Sequence, residues 1–354
     1  MHIGIAGAGL LGRLLAFELA RTGHRVEVFD PAADATTHTA AGWTAAGMLS
    51  PVAELECANE DVFALGLRSL ELWPKIVNAL GKQGTQGMLV EMHQRGSLLL
   101  AHRGDEGAAR RVVDLLVRKA PHGHVPQALD TAELRELEPS VLGPTHAWLL
   151  PHEGHIHTVQ AMAALAATGA NAGTAHSVHW HWCETVTAIS PGCLHTTHGT
   201  QYFDHVFDVR GTGARPDLPV RGVRGEILWL HAPSVVLNRP VRLLHPRHRV
   251  YLVPRQGDII VVGASEIESE DHSPISLRST VELLAAAHSV VPELAEARVV
   301  HTGTNLRPAL PDNLPRIEQV PGLTRINGLF RHGWLIAPAL VERALLSLNE
   351  VQTA

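Results

Sequence analysis

The sequence predicts a mixed α/β (α+β) fold in which a nucleotide-binding βαβ domain is interrupted by a domain built on an antiparallel sheet. Three observations point there. The chain opens with an apolar strand, a glycine turn, a helix and a second strand, "IGIAGAGLLGRLLAFELARTGHRVEVF". Further on, "RGEILWLHA", "RVYLVPR" and "DIIVVGAS" read as long strands of an antiparallel sheet. A second glycine turn, "INGLFRHGWLIAPAL", returns near the end of the chain.

The elements follow in order. Residues 3–6 form the first strand, 10–21 a helix with apolar residues at helical spacing, and 25–29 a β-branched second strand. A loop of small residues spans 37–51, and a helix spans about 60–80. "GSLLLAH" reads as a strand, and 106–119 as an amphipathic helix. "TAELRELEP" starts a helix with Thr131 as its N-cap. Residues 157–170 form a helix with Thr158 as N-cap and Gly169 at its end. Strands follow at "AHSVHWHW", "VTAI" and "HVFDV", the last running into "RGTGARP". After the three long strands come a helix at 277–290, a strand at 323–326, the second glycine turn, and a helix from about Pro338. The nucleotide-binding domain is therefore expected at 1–88, 148–220 and 300–354, and the inserted substrate-binding domain at 89–147 and 221–299.

Composition narrows the partners. A formal net charge of -6 offers no broad basic face, so nucleic acid is not expected as a partner. No apolar run approaches the roughly 18 residues that span a membrane, and Arg13 and Glu18 interrupt the apolar start, so no membrane partner is expected. The three cysteines, Cys57, Cys183 and Cys193, form no CxxC pair and fit a reducing cytoplasm.

Gly7, Gly9 and Gly12 each have a physical reason. Gly7 permits the tight turn, Gly9 has no side chain to block a pyrophosphate, and Gly12 lets helix and strand pack closely. The free N–H groups at the helix start then hold phosphate oxygens. Asp30 ends the second strand, eighteen positions after Gly12, where a carboxylate meets ribose hydroxyls. A nicotinamide dehydrogenase has no need of a second glycine loop far from the first. An isoalloxazine ring extends beyond the pyrophosphate and needs a second wall, so the two loops together favour a flavin.

Taken in order, the glycine turn with Asp30, "TAAGMLSP", "VRGEIL", "VYLVPRQGDIIVVGAS", "NLRPALPDNLPRI" and "LFRHGWLIAPAL" resemble the D-amino-acid oxidase and glycine oxidase group of flavoproteins. The likeness runs over nearly the whole chain and is strongest toward the glycine oxidases of thiamine biosynthesis. It implies a Rossmann-type FAD-binding domain with an inserted antiparallel-sheet substrate domain, and FAD bound non-covalently. By that resemblance Gly7, Gly9, Leu10, Leu11, Gly12 and Asp30 hold the ADP half of FAD. Val186 lies by the adenine, and Thr212 and Gly213 pass the pyrophosphate. Thr44, Ala46, Gly47 and Met48 line the ring, and Arg331, His332, Gly333, Trp334 and Leu335 close over its pyrimidine edge. Arg307 corresponds to the arginine that grips the substrate carboxylate, and Tyr251 to a tyrosine over the substrate. Departures from the pattern are Arg215 where tryptophan is common, Asn305 where glycine is common, and Arg249 near the pocket mouth.

The implied reaction is oxidative deamination of glycine or a small D- or N-substituted amino acid. Hydride passes from the α-carbon to flavin N5, and dioxygen re-oxidises the flavin to give hydrogen peroxide. Two other readings stay open: a flavin-linked dehydrogenase with a different acceptor, and a non-catalytic FAD-binding subunit. Homo-oligomerisation also stays open. No metal is expected, although "HWHW" puts His179 and His181 on one strand face and "PHEGHIHT" groups His152, His155 and His157. The basic run 239–249 reads as a solvated strand edge.

Overall fold

The computed structural model describes residues 1–82, 89–167, 177–245 and 249–353. Gly169, expected to end a helix, and the 246–248 part of the basic run lie outside the described residues.

The opening βαβ unit forms as the periodicity dictates: strand His2–Ala6, helix Leu10–Arg21, strand Arg25–Phe29. The two strands pair in parallel at the middle of a six-stranded sheet. Its strands run in the order Arg316–Val320, Leu323–Asn327, His205–Asp208, His2–Ala6, Arg25–Phe29 and Val178–His181. All neighbours are parallel except the hairpin of the first two. Ile3, Ile5, Val26, Val28 and Phe207 are buried because such strands are covered on both faces. The helix Leu10–Arg21 packs Leu14, Leu15 and Phe17 into the same core as the C-terminal helix Gly333–Thr353.

An eight-stranded sheet supplies the second layer. Its order is Arg298–Ala309, Arg221–His231, Ile259–Gly263, Arg249–Arg255, Val241–Leu244, Ser97–Ala101, His146–Leu150 and Gln127–Leu129. The pair Val241–Leu244 with Ser97–Ala101 is parallel, so the sheet is mixed and not purely antiparallel. Helix Leu277–Val290 covers one face through Leu283, Ala287 and Val290. Three of the five residues of His146–Leu150 and ten of the twelve of Arg298–Ala309 lie in segments expected for the nucleotide domain.

Several local expectations are corrected. The helix Thr131–Leu137 is capped by Asp130, whose side chain accepts from Ala132 N and Glu133 N while Glu133 reaches back to Asp130 N. Thr158 is the first residue of its helix, and its hydroxyl donates to Ala45 O at 2.9 Å. The C-terminal helix starts at Gly333, and Pro338 lies inside its first turns. Residues 37–51 contain a short helix, Ala41–Thr44, and a strand, Met48–Leu49. That strand joins Gly154–Ile156 and Met92–His93 in a small antiparallel sheet.

The basic run is not an edge. Strand Val241–Leu244 lies inside the sheet, so Arg242 meets Glu54 at 2.9 Å with both side chains largely buried. Arg239 meets the fully buried Glu138 at 2.7 Å. Arg249 alone of these three is half-exposed, at 3.2 Å from Glu56.

Candidate active site

A cavity of about 920 Å³ runs along the C-terminal ends of the parallel strands, the ligand side of such sheets. Every sequence-predicted site residue lines it except Gly12. Gly12 instead sets the closeness of helix and strand, since a Cβ there would overlap the carbonyl oxygen of Gly7. Gly7 itself has φ +104°, which a larger residue adopts only under strain. A Cβ on Gly9 would meet only Ala40 Cβ at 3.7 Å, so the space above it is open for a phosphate group. Asp30 sits at this end of the cavity. Its oxygens accept from Ala8 N at 2.6 Å and Ala32 N at 2.8 Å, which fixes the carboxylate.

Arg13 braces the turn from behind. It is 1% exposed, and its guanidinium donates to the carbonyls of Ala8, Met162 and Ala35 while stacking on Trp43. Burial lowers its pKa to about 10, so it remains charged at neutral pH.

The two ends of the chain meet over the cavity. Trp334 Nε1 donates to Gly42 O at 3.0 Å, and Trp334 O accepts from Trp73 Nε1 at 2.8 Å. The first bond ties the second glycine turn to the loop that carries Thr44, Ala46, Gly47 and Met48, and the second ties it to helix Glu60–Lys82. Gly47 has φ +76°, and a Cβ there would strike Ile156 O. The Gly47–Met48 segment can therefore lie flat against strand Gly154–Ile156 and present backbone to the cavity.

The eight-stranded sheet forms the opposite wall. Side chains alternate along a strand, so Gly303, Asn305 and Arg307 share one face, as do Gly225 and Ile227 beside them. Tyr251 stands opposite Gly263 on the next strand pair, with Arg242 opposite Tyr251 on its other side. Arg307 donates from Nη1 and Nη2 to Ser265 O at 3.0 Å each, and from Nη1 to Arg224 O at 3.4 Å. Among the described residues no carboxylate lies within ion-pair distance of it. Burial lowers the Arg307 pKa, with Tyr251 and Glu266 opposing that shift. Burial raises the Tyr251 pKa, against Arg307 and Arg242. The site thus sets a guanidinium near a phenol that burial keeps protonated, beside an apolar patch of Ala46, Ile227, Val253 and Val261.

An ionic hub that sequence reasoning missed lies between the walls. Glu54 meets Arg242 at 2.9 Å, Arg331 at 2.9 Å and His332 at 3.3 Å. Burial pushes its carboxyl up, but Arg242, His332 and Arg331 more than reverse this and hold it well below the usual range. No periodic signal marked Glu54, because its partners stand about 190 and 280 positions away along the chain. Of the residues that depart from the resemblance, Arg215 pairs with Glu270 at 2.8 Å in solvent. Asn305 ties the edge strand to Thr39 O and Thr44 Oγ1.

With that geometry in hand, similarity to known proteins decides the family. The family described as DAO, FAD dependent oxidoreductase, matches residues 2–343. The chain belongs to it. A Rhizobium etli protein that carries the name thiamine biosynthesis oxidoreductase ThiO is 38% identical over 352 residues, covering 98% of this chain and 97% of that one. The glycine oxidase of Geobacillus kaustophilus is 28% identical over 95% of this chain and 89% of its own. The crystal structure of the Geobacillus kaustophilus glycine oxidase superposes with a TM-score of 0.84, at 27% identity, covering 98% of this chain and 94% of that one. The chain is thus a FAD-dependent oxidoreductase of the glycine oxidase type. Its cofactor is held without a covalent bond, and none of Cys57, Cys183 and Cys193 lines the cavity. Among the described residues no helix is long and apolar enough to cross a membrane.

Proposed function

We propose that this flavoprotein oxidatively deaminates glycine or a small D- or N-substituted amino acid. The observation that carries the reading is Arg307, a guanidinium inside the cavity whose hydrogen-bond partners among the described residues are carbonyls only. Its planar fork matches a carboxylate with two charge-assisted hydrogen bonds. Ile227 and Ala46 line the cavity with apolar surface backed by Val253 and Val261, and a low local dielectric strengthens that pairing. Tyr251, held neutral, donates to the same substrate from strand Arg249–Arg255, which lies two strands beyond Arg221–His231 in the same sheet.

Bound FAD would supply a two-electron acceptor for the hydride on the substrate carbon, and dioxygen would then take up those two electrons with two protons as hydrogen peroxide. The residues of the chain orient and hold. Gly7, Gly9, Leu10, Leu11, Gly12 and Asp30 take the ADP half, with Val186, Thr212 and Gly213 along it. Thr44, Ala46, Gly47 and Met48 take one side of the ring, and residues 331–335 its pyrimidine edge. The segments 1–88, 148–220 and 300–354 act as the FAD-binding part, with strand Arg298–Ala309 reaching across to hold the substrate. The names of the Rhizobium and Geobacillus relatives support both the substrate class and a place in thiamine synthesis.

The test is peroxide release in air with glycine, sarcosine and D-alanine as substrates. Flavin that these substrates do not bleach under anaerobic conditions would overturn the reading. Bleaching without peroxide in air would instead assign a dehydrogenase with another acceptor.

A further inference from the structure

We propose that Glu91, His93 and His155 form a binding site for one divalent transition-metal ion, with Zn²⁺ as the preferred occupant. The site lies outside the cavity, on the small sheet behind its wall. His93 and His155 are directly paired across neighbouring strands, which sets their side chains side by side on one face. Their rings stand 5.3 Å apart. Glu91, two positions before His93, brings Oε1 to 3.2 Å from His93 Nε2. One ligand atom from each of the three lies within 4.8 Å of the other two.

A second observation singles this cluster out. His155 is 2% exposed, yet among the described residues neither of its ring nitrogens has a hydrogen-bond partner. A buried polar group without a partner is costly, and one bond to a metal removes that cost. The other histidine cluster lacks this feature. Glu27 already binds Arg25 at 2.7 Å, His2 at 2.9 Å and His181 at 2.9 Å, and His179 is exposed.

The donor set chooses the ion. Two imidazoles and one carboxylate suit Zn²⁺ and its neighbours, whereas Ca²⁺ and Mg²⁺ need oxygen donors. Donors at about 2.0–2.2 Å from a tetrahedral ion stand roughly 3.4 Å apart, so the shell must close by at most about 1.4 Å. The His93 side chain, 33% exposed, has the freedom to make that move. Glu91 Oε2 accepts from Gln256 N at 3.0 Å, which orients the carboxylate as an outer partner would. Arg255 and Arg95 oppose a cation here. Arg255 directs its donors to His157 Nδ1, Thr158 Oγ1 and the carbonyls of Ala45 and Ala46. Only ions that bind nitrogen strongly overcome that charge. The grouping differs from the one suggested by "PHEGHIHT". His157 turns to Arg255, His152 stacks near His124, and His155 alone meets Glu91 and His93.

The ion would act as a clamp. His155 is paired with Met48 on its other side, so a bound metal ties residues 91–93 to the strand that backs the cavity wall.

The experiment is equilibrium dialysis of the chelator-treated, FAD-loaded protein against Zn²⁺, with metal counted by elemental analysis. One equivalent should bind to the wild type and to His179→Ala. His93→Ala and Glu91→Gln should each weaken binding at least tenfold while their flavin absorbance shows that they fold. The proposal is overturned if the wild type takes up no Zn²⁺, if His93→Ala and Glu91→Gln bind it as the wild type does, or if only His179→Ala loses it.

Discussion

A Cβ placed on Gly225 would lie 2.5 Å from Cζ of Arg307. The two residues sit on adjacent strands, diagonal to one another on the cavity face, since Val223 is the residue paired with Arg307. Tyr251 is instead paired directly with Gly263, where a Cβ would come within 2.8 Å of the ring. Both pocket side chains therefore lie flat over a glycine on the neighbouring strand.

Gly225→Ala should push the guanidinium off Ser265 O and raise the KM for the amino acid at least tenfold. Arg307→Ala should lower kcat/KM by about 2–4 kcal/mol, roughly 30- to 1000-fold, through loss of two charge-assisted bonds. Bound FAD should be unchanged in both. Steady-state kinetics alongside the flavin-to-protein absorbance ratio check this, and kinetics indistinguishable from wild type in Arg307→Ala would remove the substrate assignment.

Asp30→Ala should weaken FAD retention, because the carboxylate is fixed by Ala8 N and Ala32 N at the end of the cavity. Gly12→Ala forces the helix away from the Gly7 carbonyl and should cost about 1–3 kcal/mol in stability as well. Gel filtration followed by flavin quantification reads the first effect, and urea unfolding of the apoprotein reads the second.

Glu54→Gln leaves Arg242, Arg331 and His332 without their shared carboxylate, and should destabilise the protein by about 3 kcal/mol at neutral pH. The folded-state pKa of Glu54 lies below its usual 4.5. Its stabilisation is therefore full above that value and is lost as pH falls through the folded pKa. The gap between wild type and Glu54→Gln should narrow in strong acid. Unfolding midpoints measured from pH 7 downward test this, and a constant gap would contradict it.

His205 is 4% exposed and bonds Thr324 Oγ1 at 2.9 Å. Burial lowers its pKa from 6.5 to about 4. The unfolded chain takes up the proton first, so stability should fall from about pH 6.5 and level off below about pH 4, by on the order of 3 kcal/mol. His205→Gln keeps a hydrogen-bonding side chain and should flatten that part of the curve. Titration of the His205 ring by NMR with a midpoint near 6.5 would refute it.

Much of the fold was legible because local patterns carried it. Helix Glu106–Lys119 and helix Leu277–Val290 match their apolar periodicity residue for residue. Strand Arg298–Ala309 went unread because its first five residues are exposed and show no alternation, and among the described residues Arg221–His231 is its one strand partner. The basic strand Val241–Leu244 was misread as an edge for a related reason: Arg249–Arg255 follows it closely, but the strand that covers its other side, Ser97–Ala101, comes from distant sequence.

The order of glycines, acid and strands was enough by itself to determine the nucleotide end of this protein, because a phosphate-binding turn is made from contiguous residues and its geometry is local. The substrate end was decided only by tertiary structure. Arg307 is a cavity guanidinium because Gly225, 82 positions earlier, gives it room. Glu54 is a hub because one strand and one turn close on it, and His155 meets His93 because a small sheet pairs them. Such contacts depend on which strands pair, and pairing is fixed by burial of whole faces, which no local stretch of sequence records.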